Sequence, residues 1–178
     1  MKAVKIILVA ILVIFFLLVI VGFLLPAEWE VSESVVIEAT PAEVYPHVAE
    51  LRQWSAWTAW AAADPDMTYS YSGPETGVGQ VTEWSGNQGT GRMEITGVDS
   101  LRRIDYYFSM DDNAFGAASS ILLDDVDGET RVTWSSAGDV GGNIAARYFM
   151  KVFTPYMSAD YQSGLDRLKE LAESGRAD

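Results

Sequence analysis

The chain has 178 residues, 49% of them hydrophobic, with a formal net charge of −13 and no cysteine. That length holds one domain plus a short appendage. The acidity argues against nucleic acid as a partner, which requires a basic footprint, and the missing cysteines exclude disulfides, thiol nucleophiles and thiolate metal sites.

The first element is an apolar run. Ile6–Leu25 holds 20 residues without a charge, an amide or a hydroxyl. As a helix rising about 1.5 Å per residue it spans roughly 30 Å, the thickness of a bilayer's hydrocarbon core, and it satisfies its own backbone there. Lys2 and Lys5 precede the run, while Glu28, Glu30 and Glu33 follow it. The positive-inside rule then predicts a cytoplasmic N-terminus and an extracytoplasmic remainder, periplasmic or on the cell surface. A cleaved signal peptide has a shorter apolar core and a small-x-small site. Leu25-Pro26-Ala27 fits that pattern badly. The sequence thus divides into a transmembrane anchor, residues 1–26, and one domain, residues 27–178. The domain carries ten basic residues against 25 acidic ones, so an anionic bilayer surface repels it as a whole.

Glu30–Glu38 is valine-rich and reads as a strand. Thr40-Pro41-Ala42-Glu43 is a capping box with proline at the first helical position. The helix it opens has Val44, Val48 and Leu51 on one side, and Pro46 falls early enough to be tolerated. Trp54, Trp57 and Trp60 follow at intervals of three, the spacing of a short helix or 3₁₀ turn, and are expected to plug one end of the core.

From Met67 the period becomes two. Tyr69 and Tyr71 alternate with polar residues, followed by Gln80, Thr82 and Trp84, then Met93 and Ile95, then Ile104, Tyr106 and Phe108, then Ile121 and Leu123, then Val132 and Trp134. Turn clusters at 73–79, 85–91, 98–100, 111–113 and 126–129 separate these runs. Six strands with short connections predict an antiparallel meander with one apolar face. Residues 142–174 are helical in pattern, with Ile144, Tyr148 and Val152 on a face continued by Tyr161, Leu165, Leu168 and Ala172. Pro155 is expected to kink or split this helix.

With these motifs, the order of strand, helix, short helix, six strands and long helix resembles the START-like superfamily, whose bacterial members are called SRPBCC or polyketide cyclase-like. The most specific pieces are Ala39-Thr40-Pro41-Ala42-Glu43-Val44 and Leu51-Arg52-Gln53-Trp54-Ser55-Ala56-Trp57, with Asp64-Pro65-Asp66-Met67, Tyr71-Ser72-Gly73-Pro74-Glu75, Gly77-Val78-Gly79, Val132-Thr133-Trp134, Asp160-Tyr161 and Gly164-Leu165. The resemblance covers roughly residues 28–173, and a preceding membrane anchor is similar to one bacterial subgroup. It implies an α+β helix-grip, in which a curved seven-stranded antiparallel sheet wraps a long C-terminal helix with an apolar cavity between them. The residues reach the same point independently, because an aromatic sheet face needs a partner and this helix is the only long one in the domain.

The catalytic candidates are few. His47 is the only histidine, so a multi-histidine metal site is impossible and Ser-His systems have little to build on. After Pro46 it is expected at the surface. Asp64/Asp66, Asp111/Asp112 and Asp124/Asp125/Asp127 read as solvated turn carboxylates rather than metal ligands. Gly73, Gly77 and Gly79 lack the lysine and helix of a phosphate loop. Gln80, Arg92, Arg147 and Asp160 remain as isolated polar candidates, Arg92 facing outward.

The reading is a membrane-anchored, non-catalytic binding module for a hydrophobic small molecule or lipid, with no metal and no cofactor. Trp60, Tyr69, Tyr71, Trp84, Met93, Tyr106, Phe108, Trp134, Tyr148 and Val152 are expected to line its cavity. Two alternatives stand beside it: a cyclase- or hydrolase-like enzyme using the same cavity, and an interaction or stress-related domain whose core is filled.

Overall fold

The apolar run forms one helix, α1 (Lys2–Leu24), in the computed structural model, which describes residues 2–64, 66–87, 89–110 and 115–175. By length and composition α1 is able to cross a membrane, a description that a span and an N-terminal signal sequence share. β1 (Glu28–Ile37) leads to α2 (Pro41–Ala49), a 3₁₀ turn (Leu51–Ala56) and α3 (Ala59–Ala63). β2 (Thr68–Ser72), β3 (Val81–Gly86), β4 (Gly89–Asp99), β5 (Arg103–Met110), β6 (Phe115–Val126) and β7 (Glu129–Asp139) form the meander, and α4 (Ile144–Ser174) follows.

The strands make a seven-stranded sheet in the order β1-β7-β6-β5-β4-β3-β2, each neighbouring pair antiparallel. Strict alternation decides which side chains face the helix. On β6 these are Ala117, Ser119, Ile121 and Leu123, and on β7 Thr130, Val132, Trp134 and Ser136, all buried. A bulge between Ile95 and Gly97 breaks the register of β4 with β5, and such an insertion bends the strand that carries it.

Against this face α4 lays Met157, Tyr161, Leu165, Leu168 and Ala172. Gly164 permits the close approach, since a Cβ there would stand 3.0 Å from the Trp134 ring. Along β1 the rungs rise in step. Ser158 donates to Glu33, the Lys169 ammonium donates to the Val36 carbonyl at 2.8 Å, and Glu173 accepts from the Glu38 N–H at 2.9 Å. α4 therefore runs in the same direction as β1, away from the end of α1. At the start of α2, the Thr40 N–H donates to the Glu43 carboxylate at 2.7 Å and the Glu43 N–H to the Thr40 carbonyl at 2.9 Å, which satisfies two otherwise orphaned donors.

Three expectations are corrected. α4 is not split at Pro155 and runs as one helix from Ile144 to Ser174, because burial of the helix on both sides of the proline outweighs one lost backbone bond. His47 is half-buried rather than exposed, and its backbone carbonyl accepts from the Trp57 indole at 3.1 Å. Asp64 is not a solvated turn carboxylate: it is buried and accepts from the Asn87 backbone N–H at 2.7 Å and from the Asn87 amide at 3.2 Å.

Candidate functional site

A cavity of about 130 Å³ lies between α4 and the β3–β6 part of the sheet. Trp60 of α3, Met67, Trp84 of β3, Gly89 and Met93 of β4, Tyr106, Phe108 and Met110 of β5, Phe115 of β6, and Phe153, Met157 and Tyr161 of α4 line it. Four of the chain's six methionines are in that wall. Thioether side chains repack easily, so this wall yields to a guest more readily than one built of branched residues. The volume is close to that of a dry cavity able to hold a benzene ring and well below the roughly 300–1,000 Å³ of drug-sized pockets.

At one end the cavity stops on an aromatic floor. Trp134 is fully buried, with Trp57, Trp60 and Trp54 around it at ring-centroid distances of 5.1, 5.6 and 6.0 Å. Its indole N–H donates to the Tyr106 hydroxyl at 2.6 Å. The Tyr161 hydroxyl bonds the Ser136 hydroxyl at 2.5 Å, and Ser136 in turn bonds Ser119. Burial pushes the Tyr106 phenol well above its ordinary range, with the nearby Tyr161 adding to the effect, and burial also raises Tyr161. Both stay protonated at neutral pH, so they are able to donate a hydrogen bond but not to serve as a general base.

A second, very small crevice of about 10 Å³ adjoins the cavity and shares Trp60, Trp84 and Met93 with it. Tyr69 and Thr82 line it, and both hydroxyls are buried with no hydrogen-bond partner among the described residues. Burial, with smaller contributions from Tyr71 and Asp64, raises the Tyr69 phenol above its ordinary value.

Of the residues expected at the cavity, Trp60, Trp84, Met93, Tyr106 and Phe108 line it, whereas Tyr69 and Tyr71 belong to the crevice. Trp134 lies beneath, as core. Tyr148 faces α1, its hydroxyl donating to the Leu18 carbonyl at 2.7 Å, and Val152 is 64% exposed. Those two departures share a cause: α4 is apolar on several faces over its first turns, so periodicity alone does not fix its phase. The inward face there is Met150, Phe153 and Met157. Sequence reasoning also missed Met67, Met110, Phe115, Phe153, Met157 and Tyr161 as cavity residues, although Met110 continues the alternation of Tyr106 and Phe108.

The isolated polar candidates are occupied elsewhere. The buried Gln80 amide accepts from the Leu51 N–H at 3.2 Å and donates to the Ala49 and Gly77 carbonyls at 2.8 and 3.2 Å. Arg92 pairs with Glu94 at 2.7 Å and Glu83 at 3.8 Å on the outer face. Asp160 is exposed, and Arg147 turns to the end of α1. Asp125 accepts from the Gly128 N–H at 3.0 Å, as a turn residue does. Asp111 and Asp112 lie outside the described residues. Among the described residues no group of three or more histidines and acids is placed to hold a metal ion.

Residues 28–173 match the family described as polyketide cyclase / dehydrase and lipid transport. The chain belongs to this family. Several solved structures share the fold. A protein from Thermus thermophilus, TTHA0849, superposes with a TM-score of 0.60 at 16% identity over 83% of this chain and 99% of its own. Ms6760 from Mycobacterium smegmatis gives 0.57 at 16% over 82% and 92%. DynU16, from the dynemicin biosynthetic locus, gives 0.59 at 17% over 82% of this chain, which spans about half (48%) of DynU16. At these identities the likeness is one of fold. Comparison with curated proteins gives no match. The helix-grip is thus the architecture implied by the resemblance, with an apolar helix added in front.

Proposed function

We propose that this polyketide cyclase-like protein is a membrane-tethered, non-catalytic binding module. α1 is retained as the anchor with its N-terminus in the cytoplasm, and the extracytoplasmic domain takes up a small apolar molecule or part of a lipid. The observation that carries this reading is the cavity wall itself: among the described residues, every one in it apart from Gly89 is aromatic or methionine, with no acid, base or histidine among them, and its two phenols are protonated. Such a wall binds by removing apolar surface from water, which needs no reacting group. Its size sets the guest. A single ring or a short stretch of acyl chain fills it, and a larger ligand requires the methionines to move.

A second reading has one observation in its favour. The Tyr106 and Tyr161 hydroxyls meet in one network at the cavity floor, and two phenols are able to polarise a carbonyl for cyclisation or dehydration. It ranks second because that network is already closed by Trp134, Ser119 and Ser136.

The test uses the full chain in detergent. Native mass spectrometry after exposure to a lipid extract should show a retained apolar adduct, and toluene should raise the melting temperature, since a ligand of the native state alone stabilises it. No adduct and no shift would remove the binding reading. Conversion of an adduct to a new mass would promote the enzyme.

A further inference from the structure

Over its first turns α4 presents three faces. The first lines the cavity through Phe153 and Met157. The second is seated on α1. Gly22 is the one buried residue of α1, and a Cβ there would come within 2.2 Å of Ile144 Cγ2 and 3.0 Å of Tyr148 Cε2. Arg147 donates through Nη1 to the Phe23 and Leu25 carbonyls at 3.1 and 3.0 Å, and through Nε and Nη2 to the Gly141 carbonyl at 2.9 and 2.7 Å. Those α1 carbonyls are acceptors that a helix end leaves without partners, so the guanidinium clasps the domain to the end of α1. The third face bears Phe149, Val152 and Tyr156, which are 54%, 64% and 66% exposed. On a helix these positions share roughly 60° of arc, and the exposed Ala145 extends the same stripe.

We propose that this third face is seated in the bilayer leaflet on the domain's side, a second membrane contact beside α1. The inference rests on the reading of α1 as a retained span. Depth supports it. The Tyr148 hydroxyl reaches the Leu18 carbonyl, about 10 Å along the helix axis before Leu25, so the exposed stripe starts beside the apolar run rather than above it. Charge supports it too. The domain is strongly acidic, yet residues 144–156 contain Arg147 and Lys151 and no acid. Aromatic and aliphatic side chains flanked by cations are the composition of a helix lying in a membrane interface. A second copy of the chain would set these cations against their own kind, which makes lipid the better occupant. The stripe also adjoins the cavity: the Phe149 ring stacks on Phe153, a cavity residue, with centroids 4.9 Å apart. One pair of rings then separates the leaflet from the site.

Because the chain has no cysteine, single-cysteine labelling is clean. The full chain carrying Ala145→Cys, Val152→Cys or Glu170→Cys, each with one nitrobenzoxadiazole dye, is reconstituted in phosphatidylcholine vesicles that contain a lipid with a nitroxide on its acyl chain near the head group. Dyes at 145 and 152 should be quenched several-fold more than the dye at 170. Equal, weak quenching at all three positions overturns the proposal. Protection of 145 and 152 that grows with the protein-to-lipid ratio, without quenching, means that a second copy covers the stripe and overturns it equally. The intact mass of the same sample shows whether α1 is retained, and a cleaved chain ends both the anchor and the docking. Quenching reads the helix face and not the cavity, so a failure of toluene binding leaves this result standing.

Discussion

The Trp134 and Tyr161 rings lie face to face, with centroids 4.0 Å apart and planes within 5°. One is on β7 and the other on α4, so this stack fastens the helix to the sheet at the level of the cavity floor. Trp134→Ala should cost about 3–5 kcal/mol, the usual range for deleting a buried large aromatic. Trp84 is only partly buried and borders the cavity, so Trp84→Ala loses fewer contacts and should cost about 1–2 kcal/mol. Denaturant melts of the two variants decide the matter. Equal core-sized losses would mean that the cavity is solid in solution.

The same floor predicts a stability loss in base. Tyr106 and Tyr161 have phenols raised above the ordinary value by burial. A phenol raised on folding favours the protonated native state, so its contribution is whole below about pH 10, the unfolded value, and fades as pH climbs from there toward the raised value. Melts between neutral pH and about pH 11 should show that decline. Tyr161→Phe should flatten part of it, and an unchanged profile in this variant would sink the assignment.

His47 predicts the opposite limb. Desolvation lowers its imidazole below the usual value, which means that the native state prefers the neutral ring. Its contribution is therefore whole above the unfolded value of about 6.5 and is lost as pH falls through and below it. His47→Gln should lessen the acid sensitivity between about pH 7 and 5 while leaving stability at pH 8 nearly unchanged. The carbonyl that holds Trp57 belongs to the backbone and survives the change.

The contrast between His47 and the strands shows what a sequence displays. Alternation at Ile104, Tyr106 and Phe108 reads directly as a sheet face, because a strand has two sides and one-residue slips invert them. The capping box at Thr40 and Glu43 is equally plain, since both partners lie within one turn. Asp64 escaped because its partner is Asn87, in a hairpin brought near only by folding, and the bond between the His47 carbonyl and the Trp57 indole likewise joins residues ten apart. Tyr148 and Val152 were misplaced for a related reason. α4 meets the sheet on one side and α1 on another, and a helix with two apolar neighbours has no single stripe from which to read its phase.

Tyr69 and Thr82 give the last prediction. Their hydroxyls are buried in a crevice with room for one water molecule at most, and neither has a protein partner among the described residues. An unsatisfied buried hydroxyl weakens a fold, because it gave up hydrogen bonds to water and gained none. Replacing it by an isosteric apolar group removes that penalty, so Thr82→Val and Tyr69→Phe should each leave stability unchanged or raise it by about 1 kcal/mol. Most buried polar-to-apolar changes go the other way. Ser136→Ala is the internal contrast, since it strips the Tyr161 and Ser119 hydroxyls of a partner and should cost about 1–3 kcal/mol. Melts of the three variants in parallel are sufficient. The crevice shares Trp60, Trp84 and Met93 with the cavity, so toluene binding should survive both hydroxyl deletions while binding of benzyl alcohol, which carries a donor and acceptor at one end, should weaken. A loss of stability in Thr82→Val comparable to that in Ser136→Ala would mean that the Thr82 hydroxyl is bonded in solution, and the crevice would then be part of the core rather than a polar corner of the site.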